Sequence, residues 1–156
     1  MIAYLSGAME YAENEGQDWR IKMTEWLQNE LDHTAINPVE DTSKLVAANN
    51  TQDYRNWKSS DPSRFVEFVR KAIDNDLNSV VNRVDYLICL WNKAVLKGGG
   101  THGEVTMAYY FNKPVYLINQ LDGVELSGWI MSCATEIFTD FKSLQSRLLY
   151  LYRDEK

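Results

Sequence analysis

Short apolar runs alternate along the chain with longer segments whose apolar residues recur at helical spacing. The apolar runs occupy residues 2–6, 35–37, 84–91, 115–118 and 135–138. The run VDYLICLW at 84–91 is almost continuously apolar, which is typical of a parallel strand buried on both faces. The helical segments carry their apolar residues at Trp19, Met23, Trp26, Leu27 and Leu31, at Phe65, Phe68, Val69, Ala72 and Ile73, and at Phe141, Leu144, Leu148 and Leu151. The pattern therefore predicts strands that alternate with helices.

Such an alternation predicts an α/β fold, with one domain over residues 1–156. The expected architecture is a doubly wound, flavodoxin-like or Rossmann-like sheet of about five parallel strands with helices on both faces. Sheets of this kind bind ligands beyond the carboxyl ends of their strands. That rule points to Gly7, to residues 38–41 and to the loop after Trp91.

Residues 42–64 do not follow the alternation, because they are polar and show no clear period. They include Tyr54, Arg55, Trp57 and Lys58 among Asn, Ser and Asp residues. A long segment without a period is typical of a solvated surface loop or of a lid or insertion. In the second case the aromatic side chains would close over a bound ligand.

The composition narrows the class of protein. The chain has 156 residues, of which 45% are hydrophobic and 24% charged, and this suits one globular domain with one core. A net charge of −6 argues against a nucleic-acid polymer as partner, because such proteins neutralise phosphates with clustered Lys and Arg. No apolar run reaches the roughly eighteen residues of a membrane helix, and the N-terminal region lacks a positive signal-peptide segment. We expect a cytoplasmic protein without membrane contact.

The residues that commonly bind metals are scattered. His33 and His102 have no carboxylate or thiol partner at ligand spacing, and Cys89 and Cys133 lie far apart in apolar stretches. The glycine run at 98–100 follows the third predicted strand and is not a dinucleotide-binding GxGxxG motif after the first. The sequence therefore predicts neither a metal nor a cofactor.

The strongest local motif is KGGGTHGEVTMAYYFNKPVYLI, in which a glycine-rich turn leads into a helix and then a strand. Gly98, Gly99 and Gly100 would allow a positive φ and a close approach of backbone N–H groups to a ligand. Thr101 and Glu104 have capping-box spacing, which makes Thr101 the N-cap and places Glu104 in the first helical turn. Either Glu104 is only a cap, or the positive end of the helix dipole favours an ionised carboxylate that acts as a nucleophile.

Several ordered motifs together resemble the nucleoside 2-deoxyribosyltransferase family, including its small relatives that hydrolyse nucleoside monophosphates. They are AYLSGAME, INPVED, DNDLNSVVNRVDYLICLW, GGGTHGEVTMAYYFNKPVYLI and LSGWIM, and they cover most of the chain except residues 42–64. The resemblance implies cleavage or transfer of the N-glycosidic bond of a nucleoside or nucleotide. It implies a covalent glycosyl-enzyme, as in retaining glycosidases, which water or a second base then resolves.

The resemblance also implies the roles of individual residues. Glu104 matches the glutamate that attacks the anomeric carbon, Tyr4 matches the tyrosine that positions it, and Asp76 matches an aspartate near the sugar and base. The substrate-binding positions are Ser6, Gly7, Gly99, Gly100, Thr101, His102 and Glu125. Glu125 aligns with a residue that reaches a neighbouring subunit's site, so a homodimer or higher homo-oligomer is expected.

The chain departs from the family at the position that handles the leaving base. The transferases carry an aspartate shortly before the glutamate, where this chain has Lys97, Gly98 and Gly99, and His102 is a candidate replacement as general acid. For phosphate recognition the first loop offers Ser6, Gly7 and Arg20, although an arginine on an amphipathic helix is commonly solvated.

Two alternatives remain open. GGGTHGE also resembles the PGGxGTxxE pattern of the lysine-decarboxylase-like phosphoribohydrolases, which release a base from a nucleotide. The other alternative is a nucleotide-sensing domain that keeps the pocket without turnover and uses Glu104 only as a helix cap. The missing aspartate favours this second alternative.

Overall fold

Five strands pair in parallel into one sheet over the part of the chain that the computed structural model describes, residues 1–122 and 125–153. The strands are β1 (Ile2–Gly7), β2 (Thr34–Ile36), β3 (Tyr86–Trp91), β4 (Val115–Asn119) and β5 (Glu136–Phe138). Their order in the sheet is β2-β1-β3-β4-β5, and every pairing is parallel. The prediction of an α/β fold with a doubly wound parallel sheet is confirmed.

Helices connect and cover the strands. They are α1 (Gln17–Leu31), α2 (Pro38–Asn49), α3 (Trp57–Ser60), α4 (Pro62–Asn78), α5 (Gly100–Tyr110), α6 (Gly128–Cys133) and α7 (Phe141–Tyr152). Short 3₁₀ turns lie at Glu13–Gly16, Tyr54–Asn56 and Val95–Lys97, and a π-helical turn follows α4 at Ser79–Arg83. Among the described residues, no helix combines the length and apolarity needed to cross a membrane.

The sheet buries an apolar core on each face, which explains the continuous apolar run of β3. Successive side chains of a strand point to opposite faces. Leu87, Cys89 and Trp91 pack with residues of α5 and α6, whereas Ile88 and Leu90 pack with residues of α1 and α7. With no solvated face, β3 has no place for an alternating polar residue.

The strand order creates a crevice between β1 and β3. The chain moves from β1 outward to β2, then crosses back to place β3 on the other side of β1. The connections after β1 and β3 therefore separate at their carboxyl ends, where doubly wound folds bind ligands. Gly7 pairs with Leu90 at this edge, so the first loop and the loop after Trp91 flank the crevice.

Residues 42–64 are mostly helical, so the expectation of a segment without regular structure is wrong. α2 runs to Asn49, and α4 starts at Pro62 with the Asp61 side chain accepting a hydrogen bond from the Arg64 backbone N–H. The helical period is weak because this part of α2 is largely exposed. A helix with little buried surface needs few apolar residues, and periodicity then fails to reveal it.

Arg20 anchors the loop that follows β1. Its side chain is fully buried, and its guanidinium donates hydrogen bonds to the backbone carbonyls of Leu5 (3.0 Å), Gly7 (2.8 Å), Glu15 (3.0 Å) and Gly16 (3.1 Å). Gly16 has a φ of 70°, and a Cβ there would lie 2.7 Å from the guanidinium. The expectation that Arg20 is solvated or binds phosphate is therefore wrong, because its donors face the protein's own backbone.

We expect Arg20→Met to lower the free energy of unfolding by about 3 kcal/mol, because each buried carbonyl left without a donor costs about 1–3 kcal/mol. Urea denaturation measures the change. Lys22→Met on the same helix is the control, since Lys22 is exposed. Equal stabilities of the two variants would contradict the anchoring role.

Candidate active site

A cleft of about 210 Å³ opens at the crevice between β1 and β3. Its walls come from the loop after β1, the loop after β3 with the start of α5, one face of α4, and part of residues 42–64. The lining residues are Gly7, Ala8, Met9, Glu10, Tyr11, Thr42, Tyr54, Arg55, Phe68, Val69, Ala72, Ile73, Asp76, Ala94, Val95, Gly98, Gly99, Gly100, Thr101 and Glu104. The cleft lies where the topology predicts a ligand site.

Glu104 lies deeper in its helix than a capping residue would. α5 begins at Gly100 after Gly99 as N-cap, and no side chain caps this end. Thr101 is the second helical residue and Glu104 the fifth, so the capping-box interpretation is wrong. Glu104 is 7% exposed and lines the cleft. Its burial needs an explanation other than helix capping.

Two hydroxyl groups from β1 hold the Glu104 carboxylate. The Tyr4 hydroxyl donates to Oε1 at 3.0 Å, and the Ser6 hydroxyl donates a short hydrogen bond to Oε2. Tyr4 and Ser6 are two positions apart on one strand, so both side chains point to the face that α5 covers. Tyr4 and Ser6 are fully buried behind Glu104 and do not themselves line the cleft.

Burial raises the pKa of Glu104 above its ordinary value, while the hydrogen bonds from Ser6 and Tyr4 and the positive charge of Arg20 lower it. The direction is opposite to the expectation that the helix dipole favours ionisation. Dipole effects act mainly within the first turn, and Glu104 lies beyond it. Desolvation therefore dominates at this site.

Asp76 provides a second carboxyl group in the same cleft, from the C-terminal part of α4. Burial raises its pKa to about 7, with further contributions from the negative charges of Glu104 and Asp41, while hydrogen bonding from Tyr4 and Asn75 acts in the other direction. A carboxyl group with a pKa near neutrality can both donate and accept a proton at physiological pH. The cleft thus brings together two carboxyl groups in different environments.

The glycines of the motif provide space. Gly98 and Gly99 have φ values of −120° and −107°, so the expected positive φ is not found there. A Cβ at Gly99 or Gly100 would meet no atom within 4 Å, because it would point into open space. At Gly7, by contrast, a Cβ would lie 3.1 Å from the Trp19 ring and 3.3 Å from Arg20.

Besides Tyr4 and Ser6, two further predicted site residues lie outside the cleft lining. His102 packs its ring edge-on against Trp91, with 4.7 Å between ring centroids, and its Nδ1 is buried without a partner. Its proposed role as the acid for the leaving base has no geometric support. Glu125 is exposed on the loop before α6. Within one chain it does not contribute to the site.

Glu10, Tyr11 and Phe68 line the cleft but were not predicted as site residues. Glu10 ends the AYLSGAME motif and Tyr11 follows it, and both come after the carboxyl end of β1, where a ligand site is expected. Phe68 lies on the predicted helix, where an aromatic residue normally indicates core packing. Its role in the cleft depends on residues 42–64, which pack beside it: Tyr54 lies 4.8 Å from the Phe68 ring.

We expect Asp76→Asn to flatten the dependence of stability on pH. The folded state of the wild type binds the Asp76 proton more tightly than the unfolded state, because the pKa rises from 3.8 to about 7 on folding. The free energy of unfolding of the wild type therefore falls as the pH rises from 3.8 to about 7. Asp76→Asn does not show this fall, because an amide does not titrate there. Chemical denaturation at several pH values measures it. Asp74→Asn, an exposed position on α4, is the control, and parallel curves for wild type and Asp76→Asn would contradict the prediction.

No protein-family model matches the chain, and a search of curated proteins finds no significant match. The family assignment made from the motifs therefore stays a prediction. The function has to be inferred from the chemistry of the cleft.

Proposed function

We propose that this protein cleaves or transfers the N-glycosidic bond of a nucleoside, with Glu104 as the nucleophile. The observation that carries the proposal is a buried carboxylate at the floor of a cleft, hydrogen-bonded at both oxygens and accompanied by a second carboxyl group. Such pairs support displacement at an anomeric carbon in retaining glycosidases. The motif resemblance to the nucleoside 2-deoxyribosyltransferases points to the same chemistry.

Glu104 attacks C1′ of the sugar through one carboxylate oxygen. The C1′–N bond breaks as the new C1′–O bond forms, and the electron pair of the broken bond goes to the base nitrogen. Tyr4 and Ser6 keep the carboxylate oriented, which lowers the entropic cost of the attack. Each carboxylate oxygen retains a lone pair after accepting its hydrogen bond and can form the new bond.

Asp76 takes the place of the aspartate that the motif lacks. In its protonated form it donates a proton to the departing base, and as a carboxylate it then accepts one from the water that attacks C1′ and releases Glu104. With a second base as acceptor, the same intermediate gives transfer instead of hydrolysis. A pKa of about 7 suits both roles.

The charges of the cleft favour an unphosphorylated nucleoside over a monophosphate. Glu10, Asp76 and Glu104 line the cleft, whereas its cation, Arg55, is paired with Glu15. Ser6 donates to Glu104, and the Arg20 donors face backbone carbonyls. The two side chains expected to bind phosphate are therefore already engaged. Glu125 stays available for a second copy of the chain, as the resemblance implies for an oligomer with shared sites.

We expect wild-type protein to release free base from deoxynucleosides and Glu104→Gln to reduce the rate by at least about 10⁴-fold, because the covalent step is lost. Chromatography of a panel of nucleosides and their 5′-monophosphates measures base release, and nucleosides should be preferred. Glu30→Gln, an exposed position on α1 outside the cleft, is the control. Thermal stabilisation by ligand, with neither base release nor base exchange when an acceptor base is added, would indicate a sensor and overturn the proposal.

We expect kcat/KM to fall above about pH 7, because Asp76 loses the proton that the leaving base requires. In Asp76→Asn the rate should drop by about 10²–10⁴-fold, and the decline near pH 7 should disappear. Steady-state kinetics measured between about pH 5 and 9, at about every half pH unit, distinguish the pH profile of the wild type from that of Asp76→Asn. An unchanged decline in Asp76→Asn would assign the acid role to another group.

A further inference from the structure

Residues 51–60 form a flap at one side of the cleft, which they line through Tyr54 and Arg55. The flap connects α2 to α4 and bears only short helical turns. Among its ten residues, all of which the structure describes, only Thr51 is buried. A segment with so few buried contacts belongs to the less stable part of a structure.

The flap joins the two helices at residues outside the helical conformation. Asn50 ends α2 with a left-handed φ of 52°, and Asp61 precedes α4 with a φ of −150° and a ψ of 77°. Residues at the ends of elements commonly absorb the backbone rotations of a hinge. The flap can therefore swing at Asn50 and Asp61 while α2 and α4 stay in place.

Two ion pairs connect the flap to the loop after β1. The Arg55 guanidinium pairs with the Glu15 carboxylate, and Lys58 Nζ lies 2.9 Å from Glu10 Oε1 and 3.5 Å from the Tyr11 hydroxyl. Glu10, Tyr11 and Arg55 line the cleft, so these ion pairs join two of its walls. They hold the flap in the position that the structure shows.

In this position the cleft is smaller than a typical ligand site. Its volume is about 210 Å³, whereas pockets for small molecules usually measure about 300–1,000 Å³. Glu104 at its floor is only 7% exposed. Entry of a ligand therefore requires a wall to move. Arg20 anchors the loop after β1 and α4 is a continuous helix, so the flap is the wall suited to this movement.

We propose that the flap is a lid that the Arg55–Glu15 and Lys58–Glu10 ion pairs hold closed, so that an increase in ionic strength opens the cleft. The four charged side chains are 37–53% exposed. Ion pairs at such exposed positions each change an equilibrium constant by at most about 5-fold. Salt screens them, so the balance between closed and open positions responds to ionic strength.

Amide hydrogen exchange of the flap, followed by mass spectrometry, tests this inference without any ligand. The backbone hydrogen bond from Asn56 to Asp53, at 2.9 Å, lies in a 3₁₀ turn that is too short to be stable alone, so a released flap exchanges faster. Between about 0.01 M and 1 M NaCl the Debye length falls from about 30 Å to 3 Å, and exchange in the wild type should accelerate about 5-fold. The ring contacts of Tyr54 and Trp57 with Phe68 do not respond to this screening.

The double variant Lys58→Met/Glu15→Gln removes one partner of each ion pair at positions outside the cleft lining. Its flap should exchange at the faster rate at both salt concentrations. Arg147→Met is the matched control, because it removes an ion pair of similar exposure with Glu136, at the β5 edge of the sheet. Its flap should exchange as in the wild type.

Labelling of Val69→Cys with uncharged iodoacetamide measures the opening of the cleft itself, since position 69 lines the cleft and the native Cys89 and Cys133 are buried. The labelling rate should rise with salt together with the exchange of the flap. Exchange that is equal at both salt concentrations in the wild type, slow exchange at low salt in the double variant, or labelling that does not follow the flap overturns the inference. None of these measurements uses a nucleoside, so their outcome is independent of the proposed function.

Discussion

The pair of hydrogen bonds from Tyr4 and Ser6 to Glu104 is the interaction on which the site depends. Burial of a carboxylate in an apolar interior is strongly unfavourable unless hydrogen-bond donors replace the lost water. Here both donors come from β1 and the acceptor from α5, so the contact joins the central strand to the helix after β3. Without it, the carboxylate at the floor of the cleft would lose the side-chain hydrogen bonds to both of its oxygens. The same contact therefore holds α5 against β1 and stabilises the buried charge of Glu104.

Much of the fold was predictable because its determinants are local. Apolar runs such as VDYLICLW can be buried only as central strands, and the segment after them must turn back as a helix. Glu104, Asp76, Tyr4 and Ser6 were predictable as neighbours once motif resemblance was combined with the rule that ligands bind beyond the carboxyl ends of strands. The strands are predicted from patterns within one segment, whereas the grouping of these site residues depends on the resemblance of several segments together.

The remaining features depend on distant partners. The spacing of Thr101 and Glu104 satisfies a capping box, but the helix starts at Gly100 and Glu104 turns inward to donors about one hundred residues away in sequence. Arg20 has the sequence appearance of a solvated helix residue, and only the packed loop supplies its carbonyl acceptors. Residues 42–64 lack a period because they bury little surface of their own. No pattern within one segment encodes such contacts.

The Arg20 anchor has a further consequence for how the first loop can vary. Its guanidinium donates hydrogen bonds to the backbone carbonyls of this loop, so the path of the loop is largely independent of the side chains that the loop carries. Ala8, Met9, Glu10 and Tyr11 can therefore be exchanged in a combinatorial library while the main chain keeps its course. The loop is a natural position for redesigning ligand preference, since diversity there changes the chemistry of the cleft without removing its support.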